Sequence, residues 1–307
     1  MWTAVALWTL MLGGTAAYVG WAAGMAAHGT PLWLLIVGAP LVYLALILAF
    51  AIAYFAVAWR YRAERPPQAR IGVAATLRLF ANEYRALAGT ARRMMLYRWL
   101  LKDPPPARVL SPVLLVHGVL CNAGVWLKLS RYLAAHGVHP VYTISYGPPL
   151  SSIDTFAEQL AAKIDAIIAA TGARSVVIVS HSMGGLVTLA YCRKYGAEKV
   201  RRLISLGAPY HGSMHAWFFP GLCLEQLRPG NRWLDDLHRA PFAWPPISSI
   251  WSWHDSMVAP QTSSRIPGAD NIAIIGVGHN AMLADRAVAS NVLALIKSTA
   301  SHAADYQ

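Results

Sequence analysis

Ser182 stands at the apex of Ser180-His181-Ser182-Met183-Gly184-Gly185. Before it runs Val176–Val179, all β-branched and apolar, and after it Leu186–Tyr195 has the pattern of a helix. A strand, a sharp bend and a helix leave room only for small residues on either side of the apex. Such a bend forces the apex residue into a strained conformation that pushes its hydroxyl into the open. The turn follows the pattern Gly-x-Ser-x-Gly, with Ser180 replacing the first glycine. The same outline can hold a phosphate, but no lysine or phosphate-loop spacing accompanies it here. The chemistry indicated is attack on a carbonyl by a serine oxygen.

A serine hydroxyl is a poor nucleophile at neutral pH. It needs a base within hydrogen-bond reach and an acid that fixes the tautomer of that base. With this kind of turn the acid and then the base follow the serine in the chain, each just past a strand. Asp255 follows Ile250–His254, and His279 follows Ile272–Gly278, so both fit. Asp235 and Asp236 lie in a helix-like segment, and Asp270 precedes its strand, at the wrong end of the sheet. His181 adjoins the serine and cannot readily turn back onto it. His211 sits in the loop Gly207–Gly212 and is read as shaping the pocket. The negative oxygen of the tetrahedral intermediate needs two N–H donors. Met183 supplies one. Val113–Val116 followed by His117-Gly118 offers the second from Val119, with Leu120 as the alternative donor.

These residues must be held by alternating strands and helices. From Ala107 onward, strands are expected at 113–116, 140–145, 175–179, 200–206, 247–253 and 272–276, with helices at 130–136, 152–170 and 287–299. That alternation implies an α/β fold with a mainly parallel sheet and right-handed crossovers. An insertion at about 213–247 carries Trp217, Phe218, Phe219, Trp233, Phe242 and Trp244. It reads as a lid, an acyl-chain wall or a rigid cap. Leu120, Trp217, Phe218 and Phe219 are the expected substrate-binding residues.

The first hundred residues differ in kind. Hydrophobic residues make up 56% of the 307 and charged residues 13%, too apolar for an ordinary soluble chain. Trp2–Ala27 and Leu32–Trp59 are free of charge and joined by His28-Gly29-Thr30-Pro31. Each exceeds the roughly 20 residues that a helix needs to cross a bilayer. The first run lacks the basic start of a cleaved leader. Residues 1–60 are therefore expected to form a transmembrane hairpin, with Gly13, Gly14, Gly20 and Gly24 at its seam. Arg60, Arg62, Arg65 and Arg70 follow at once, so the positive-inside rule places everything after them in the cytoplasm. Residues 61–106 hold a basic amphipathic helix and a proline-rich linker. Its stripe of Val73, Leu77, Phe80, Tyr84, Leu87, Ala91 and Met94 is flanked by Arg78, Arg85 and Arg92. That helix lies either in the headgroup region or against the domain of residues 107–307. The net charge of +12 is better explained by a membrane than by nucleic acid, since no groove-reading motif is present. Cys121, Cys192 and Cys223 are too scattered for a disulfide framework or a metal cluster, and no metal or cofactor is expected.

Leu115–Gly118, Ser180–Gly185, Leu206–Ser213, Ser252–Pro260 and Val277–His279 together resemble the lipase/esterase branch of the α/β-hydrolase fold family. The likeness covers residues 113–279 and leaves out the hairpin. It implies hydrolysis of carboxylic esters through an acyl-enzyme, with Ser182, Asp255 and His279 as the triad. It implies no particular ester, and the calcium ion and disulfide of several secreted members have no counterpart here. The aromatic insertion and the anchor point to an apolar acyl ester and to membrane lipid as partners. The expected place is the inner membrane of a bacterium. An acyltransferase or thioesterase using the same triad is the neighbouring alternative, and a non-catalytic membrane-anchored module the distant one.

Overall fold

The computed structural model describes residues 2–105, 107–239 and 243–304. Phe242 of the aromatic insertion lies outside them. The two uncharged runs fold as helices α1 (Trp2–Ala27) and α2 (Leu32–Arg60). At 1.5 Å per residue, each is about 40 Å long, enough to cross a bilayer. Tyrosines stitch the pair together. The Tyr43 hydroxyl donates to the Met11 carbonyl at 2.7 Å and that of Tyr18 to Leu35 at 2.8 Å. Of the four glycines expected at the seam, Gly14 faces it, where a Cβ would lie 3.1 Å from the Tyr43 hydroxyl, while Gly13, Gly20 and Gly24 face open space.

Helix α3 (Val73–Met95) and the short α4 (Tyr97–Leu100) follow. The start of the apolar stripe on α3 is not its buried face. Val73 and Leu77 are 79% and 65% exposed, whereas Leu79, Glu83, Thr90 and Arg93 are buried. The reason is that α3 is wedged between two neighbours. Phe80 packs on Phe55 of α2 at 5.2 Å between ring centroids, and the Tyr84 hydroxyl donates to Leu44 at 3.1 Å. The mixed polar face rests on the globular part, where Asn122 Nδ2 donates to the Met94 carbonyl at 2.9 Å.

The sheet consists of β1 (Val113–Val116), β2 (Val141–Thr143), β3 (Val176–His181), β4 (Val200–Leu206), β5 (Ile247–Ser252) and β6 (Asp270–Ile274). Their order across the sheet is β2-β1-β3-β4-β5-β6, and every pairing is parallel. Parallel neighbours require crossovers, and helices supply them. In chain order these are α5 (Leu127–Ala135), α6 (Ile153–Thr171), α7 (Gly184–Tyr195), α8 (Leu222–Gln226) and α9 (Arg232–Arg239); the connection from β5 to β6 holds only the short turn Gln261–Ser264, and α10 (Arg286–Ala304) follows the last strand. Helices on both faces explain why β1 and β3 read as unbroken apolar runs rather than alternating ones. Leu114, Val116, Val176 and Ile178 enter the core on one face, and Val113, Leu115, Val177 and Val179 that on the other. Ser152 caps α6 by accepting from Thr155 N at 3.1 Å, and Gly172 ends it in the left-handed region.

Candidate active site

Ser182 sits between β3 and α7 with φ +56°, the left-handed region that a non-glycine residue enters at a cost of roughly 1–2 kcal/mol. Its backbone is over-determined. Ser182 N donates to Leu206 at the end of β4 at 2.9 Å, and Gly185 N donates back to Ser182 at 3.1 Å. Gly184 is as crowded as the sharp turn demands, since a Cβ there would come within 2.5 Å of the Val116 carbonyl oxygen. The loop after β1 lies directly against the serine. A Cβ on Gly118 would meet Ser182 Cβ at 2.8 Å and Oγ at 3.3 Å. Val119, Leu120 and Met183 line one small enclosed cavity there, together with Gly118, Leu150 and Cys223. Met183 precedes the first turn of α7, so its N–H lies at the positive end of the helix dipole. Leu120 also has a positive φ, +54°, and its side chain is half exposed.

Asp255 and His279 come from loops after β5 and β6 and meet at 2.9 Å, Oδ2 to Nδ1. The other oxygen, Oδ1, accepts from Met257 N and Val258 N, each at 2.8 Å, which fixes the carboxylate plane. Both side chains are buried. Room for the pair comes from Gly207, whose φ is +55°. A Cβ there would lie 2.8 Å from Asp255 Oδ2 and 3.2 Å from His279 Nδ1. Burial alone would lower the proton affinity of His279. The charge and hydrogen bond of Asp255 and the charge of Glu83 outweigh it, and the pKa ends above its usual 6.5.

His181 is placed against His279. Its ring lies 4.4 Å from that of His279, and its Nε2 is 3.1 Å from the His279 carbonyl. A carbonyl only accepts, so Nε2 carries the proton. Burial, then the proximity of His279, pushes its pKa well below 6.5, so it stays neutral. His117 is likewise held neutral, pushed down to about 4 by burial, with Nδ1 donating to Gly118 at 2.8 Å. His211 lies away from this group, stacked on His238 at 4.9 Å. Asp235 and Asp236 face solvent on α9 in pairs with Arg239 and Arg232 at 3.5 and 3.8 Å. Asp270 starts β6 and accepts from Ser248 Oγ at 3.2 Å.

The aromatic insertion is docked onto the hairpin. His215 Nε2 donates to the Tyr54 carbonyl at 3.1 Å and its ring stacks on that of Tyr54 at 5.0 Å, while Phe219 stacks on the same ring at 6.1 Å. Trp217 and Phe218 are 54% and 58% exposed beside it. They are not among the residues lining the cavity behind the Gly118–Cys121 loop. Among the described residues no group of three or more His, Cys, Asp or Glu could hold a metal ion. Two residues of the site escaped sequence reasoning. Thr3 of α1 donates its hydroxyl to Cys121 at 3.0 Å and lines the same cavity as Val119 and Met183. Glu83 of α3 is buried against the loop of His279. For Glu83 a signal exists: it is the sole acidic residue of an arginine-rich helix. For Thr3 there is none, because an apolar run does not reveal what its end touches.

Comparison with known proteins agrees with the fold. Residues 111–252 match the family model described as the alpha/beta hydrolase fold. A triacylglycerol lipase of Pseudarthrobacter phenanthrenivorans is 32% identical over 114 residues, which is 35% of each chain. Another, of Burkholderia plantarii, is 32% identical over 114 residues, 35% of this chain and 32% of that one. The match thus spans about a third of the length of these relatives. Among solved structures, the mature lipase of Bacillus licheniformis aligns with 63% of this chain and 96% of its own, at TM-score 0.56 and 19% identity. Lipase B of Aspergillus fumigatus aligns with 65% of this chain and 56% of its own, at TM-score 0.55 and 20% identity. At such identities the two structures speak for the fold alone. The parallel sheet, the strand–serine–helix turn and the match over 111–252 give the chain an α/β-hydrolase fold, similar over a third of its length to triacylglycerol lipases.

Proposed function

We propose that the protein is a membrane-anchored serine hydrolase that cleaves lipid-like carboxylic esters through an acyl-enzyme. The observation that carries this reading is the Asp255–His279 pair, 2.9 Å apart and buried, next to a serine held at φ +56°. In that arrangement His279 Nε2 takes the proton of Ser182 as its oxygen attacks the ester carbonyl. Asp255 keeps the proton of His279 on Nδ1 and stabilises the imidazolium that forms. The N–H groups of Met183 and Val119 receive the oxyanion. His279 then protonates the departing alcohol, and water repeats the sequence to free the acid. The apolar ester is argued from Trp217, Phe218 and Phe219 beside the hairpin and from the lipases that the chain resembles.

The anchor is argued from surface chemistry. Leu10, Trp33, Ile36 and Leu46 are each more than 60% exposed, a run of apolar surface that water would not support but a bilayer would. The first turn of α1 and the last turns of α2 both touch the globular part, so the hairpin starts and ends on one side. Arg60, Arg62, Arg65 and Arg70 mark that side as cytoplasmic. The test is labelling with a fluorophosphonate probe, followed by an ester panel on the detergent-solubilised protein. Wild type should label and hydrolyse, and Ser182→Ala should do neither while keeping its melting curve. Undiminished turnover in Ser182→Ala would end the reading.

A further inference from the structure

The buried carboxylate of Glu83 lies on α3, outside the parallel-sheet domain, yet every hydrogen bond found for it goes to the loops of Asp255 and His279. Oε1 accepts from Asn280 N and Asn280 Nδ2, each at 2.9 Å, and from Ser256 Oγ at 2.8 Å. Oε2 accepts from Ala281 N at 2.9 Å. Ser256 Oγ in turn accepts from His279 N at 3.4 Å. One side chain therefore ties the residue after the acid to the two residues after the base. The fit is close: a Cβ on Gly278 would collide with Glu83 Oε2. Glu83 is 1% exposed, and among the described residues no Lys, Arg or His forms an ion pair with it.

A carboxylate buried without a cation is expensive, and an apolar side chain of similar size would hold two loops together at less cost. What the carboxylate adds is a negative charge and four acceptor contacts, two of them to the backbone N–H groups of Asn280 and Ala281, which follow the base. His279 becomes a cation when it takes the serine proton, and a second anion behind it favours that form. We propose that Glu83 is a positioning residue of the triad, so that helix α3 of the anchoring segment completes the active site of the domain it precedes. This rests on the serine-hydrolase reading of Ser182, Asp255 and His279.

The charged and titratable groups around His279 are Asp255, Glu83, His181 and His215. Asp255 is in contact with it, and His181 and His215 have pKa values lowered by burial, so Glu83 is the group whose charge can be removed with the hydrogen-bonded pair left intact. The experiment compares full-length Glu83→Gln, Glu83→Asp and Glu83→Leu with wild type in detergent. It reads kcat and KM on a short soluble ester against pH, with active sites counted by fluorophosphonate labelling and folding checked by melting curves. Glu83→Gln is expected to lower kcat per labelled site by about tenfold with KM little changed, the size of one charge-assisted contact. Its acidic limb is expected to move to lower pH, because the base loses an anion that holds its proton. Glu83→Asp keeps the charge and should keep the limb where wild type has it. Glu83→Leu should share the shifted limb of Glu83→Gln, even where its labelled fraction is small. Wild-type kcat per labelled site and an unmoved limb in Glu83→Gln would overturn the proposal, as would a loss explained wholly by fewer folded molecules. A wild-type protein that fails to label would instead end the serine-hydrolase reading, and this inference with it.

Discussion

Thr3 donates its hydroxyl to the carbonyl of Cys121 at 3.0 Å, joining the first turn of α1 to the loop that begins at Gly118 beside Ser182. The N-terminal helix is thus in contact with the loop expected to supply an oxyanion donor. Thr3→Val keeps the shape and deletes the donor, leaving the Cys121 carbonyl short of one partner. The expected loss is about 1 kcal/mol of stability, read as a lower melting midpoint in detergent. Turnover of short esters should fall a few-fold as the loop loosens. A variant equal to wild type in both would show that this contact is incidental.

Asp255→Asn should lower kcat by roughly three to four orders of magnitude, because an amide beside His279 permits the wrong tautomer. Asp235→Asn, Asp236→Asn and Asp270→Asn should stay within a few-fold of wild type. Kinetics on the four purified variants decides the matter, and loss of activity in Asp270→Asn alone would reassign the acid.

Gly207 is expected to be as sensitive as a reacting residue although it carries no functional group. Gly207→Ala meets a φ of +55° and places its methyl 2.8 Å from Asp255 Oδ2. The left-handed backbone alone costs roughly 1–2 kcal/mol. The displaced pair should lower kcat at least tenfold, with the labelled fraction and the melting curve recorded together.

Acid should act on rate and stability separately. His279 must be neutral to act as base, and its pKa lies above 6.5. The rate profile, kcat/KM against pH, should therefore fall off on an acidic limb centred above 6.5. For stability, His117 and His181 resist protonation in the folded state, whereas the unfolded chain takes up protons near pH 6.5. The contribution of His117 is complete above that pH and is lost as pH falls from about 6.5 toward 4, by up to about 1.4 kcal/mol per pH unit, and His181 acts in the same direction. His279, raised, works in the opposite direction: its contribution is complete below 6.5 and fades above its folded pKa. His211, His215 and His254 are lowered by burial as well, so with five lowered histidines against one raised the melting midpoint should decline between pH 7 and pH 5. A midpoint that holds steady across that range would contradict the buried, neutral state of His117 and His181.

Fusions after Gln307 report on orientation. A green fluorescent protein there should fluoresce, and an alkaline phosphatase should be silent. The reverse pattern would put the domain outside the cell.

The geometry at Ser182, Asp255 and His279 is largely written in the local sequence. A small-residue turn after a β-branched strand is a short-range signal, and so is a carboxylate or histidine just beyond a strand end. The limits of the sheet strands shift by a residue or more at β2, β3, β5 and β6, where the run of apolar residues does not coincide with the paired backbone. What escaped was contact between distant segments. Helix α3 shows a stripe of Val73, Leu77 and Phe80, and a periodic pattern names that face as the packed one. The structure packs Phe80 on α2, leaves Val73 and Leu77 exposed, and buries Glu83 and Arg93, because the helix serves two neighbours of different polarity. Likewise the hydropathy of α1 and α2 reports their length and says nothing of Thr3 or Tyr54 as docking points.

The seat of His215 and Phe219 on Tyr54 has a consequence for how the rate responds to the physical state of the substrate. A flap that swings open on meeting an aggregate makes a lipase jump in rate when dissolved monomers give way to micelles. Here the aromatic insertion is pinned to α2, the helix proposed above to lie in the hydrophobic phase. Its activity should therefore rise smoothly through the critical micelle concentration, following the mole fraction of ester dissolved around the hairpin and not the appearance of a new surface.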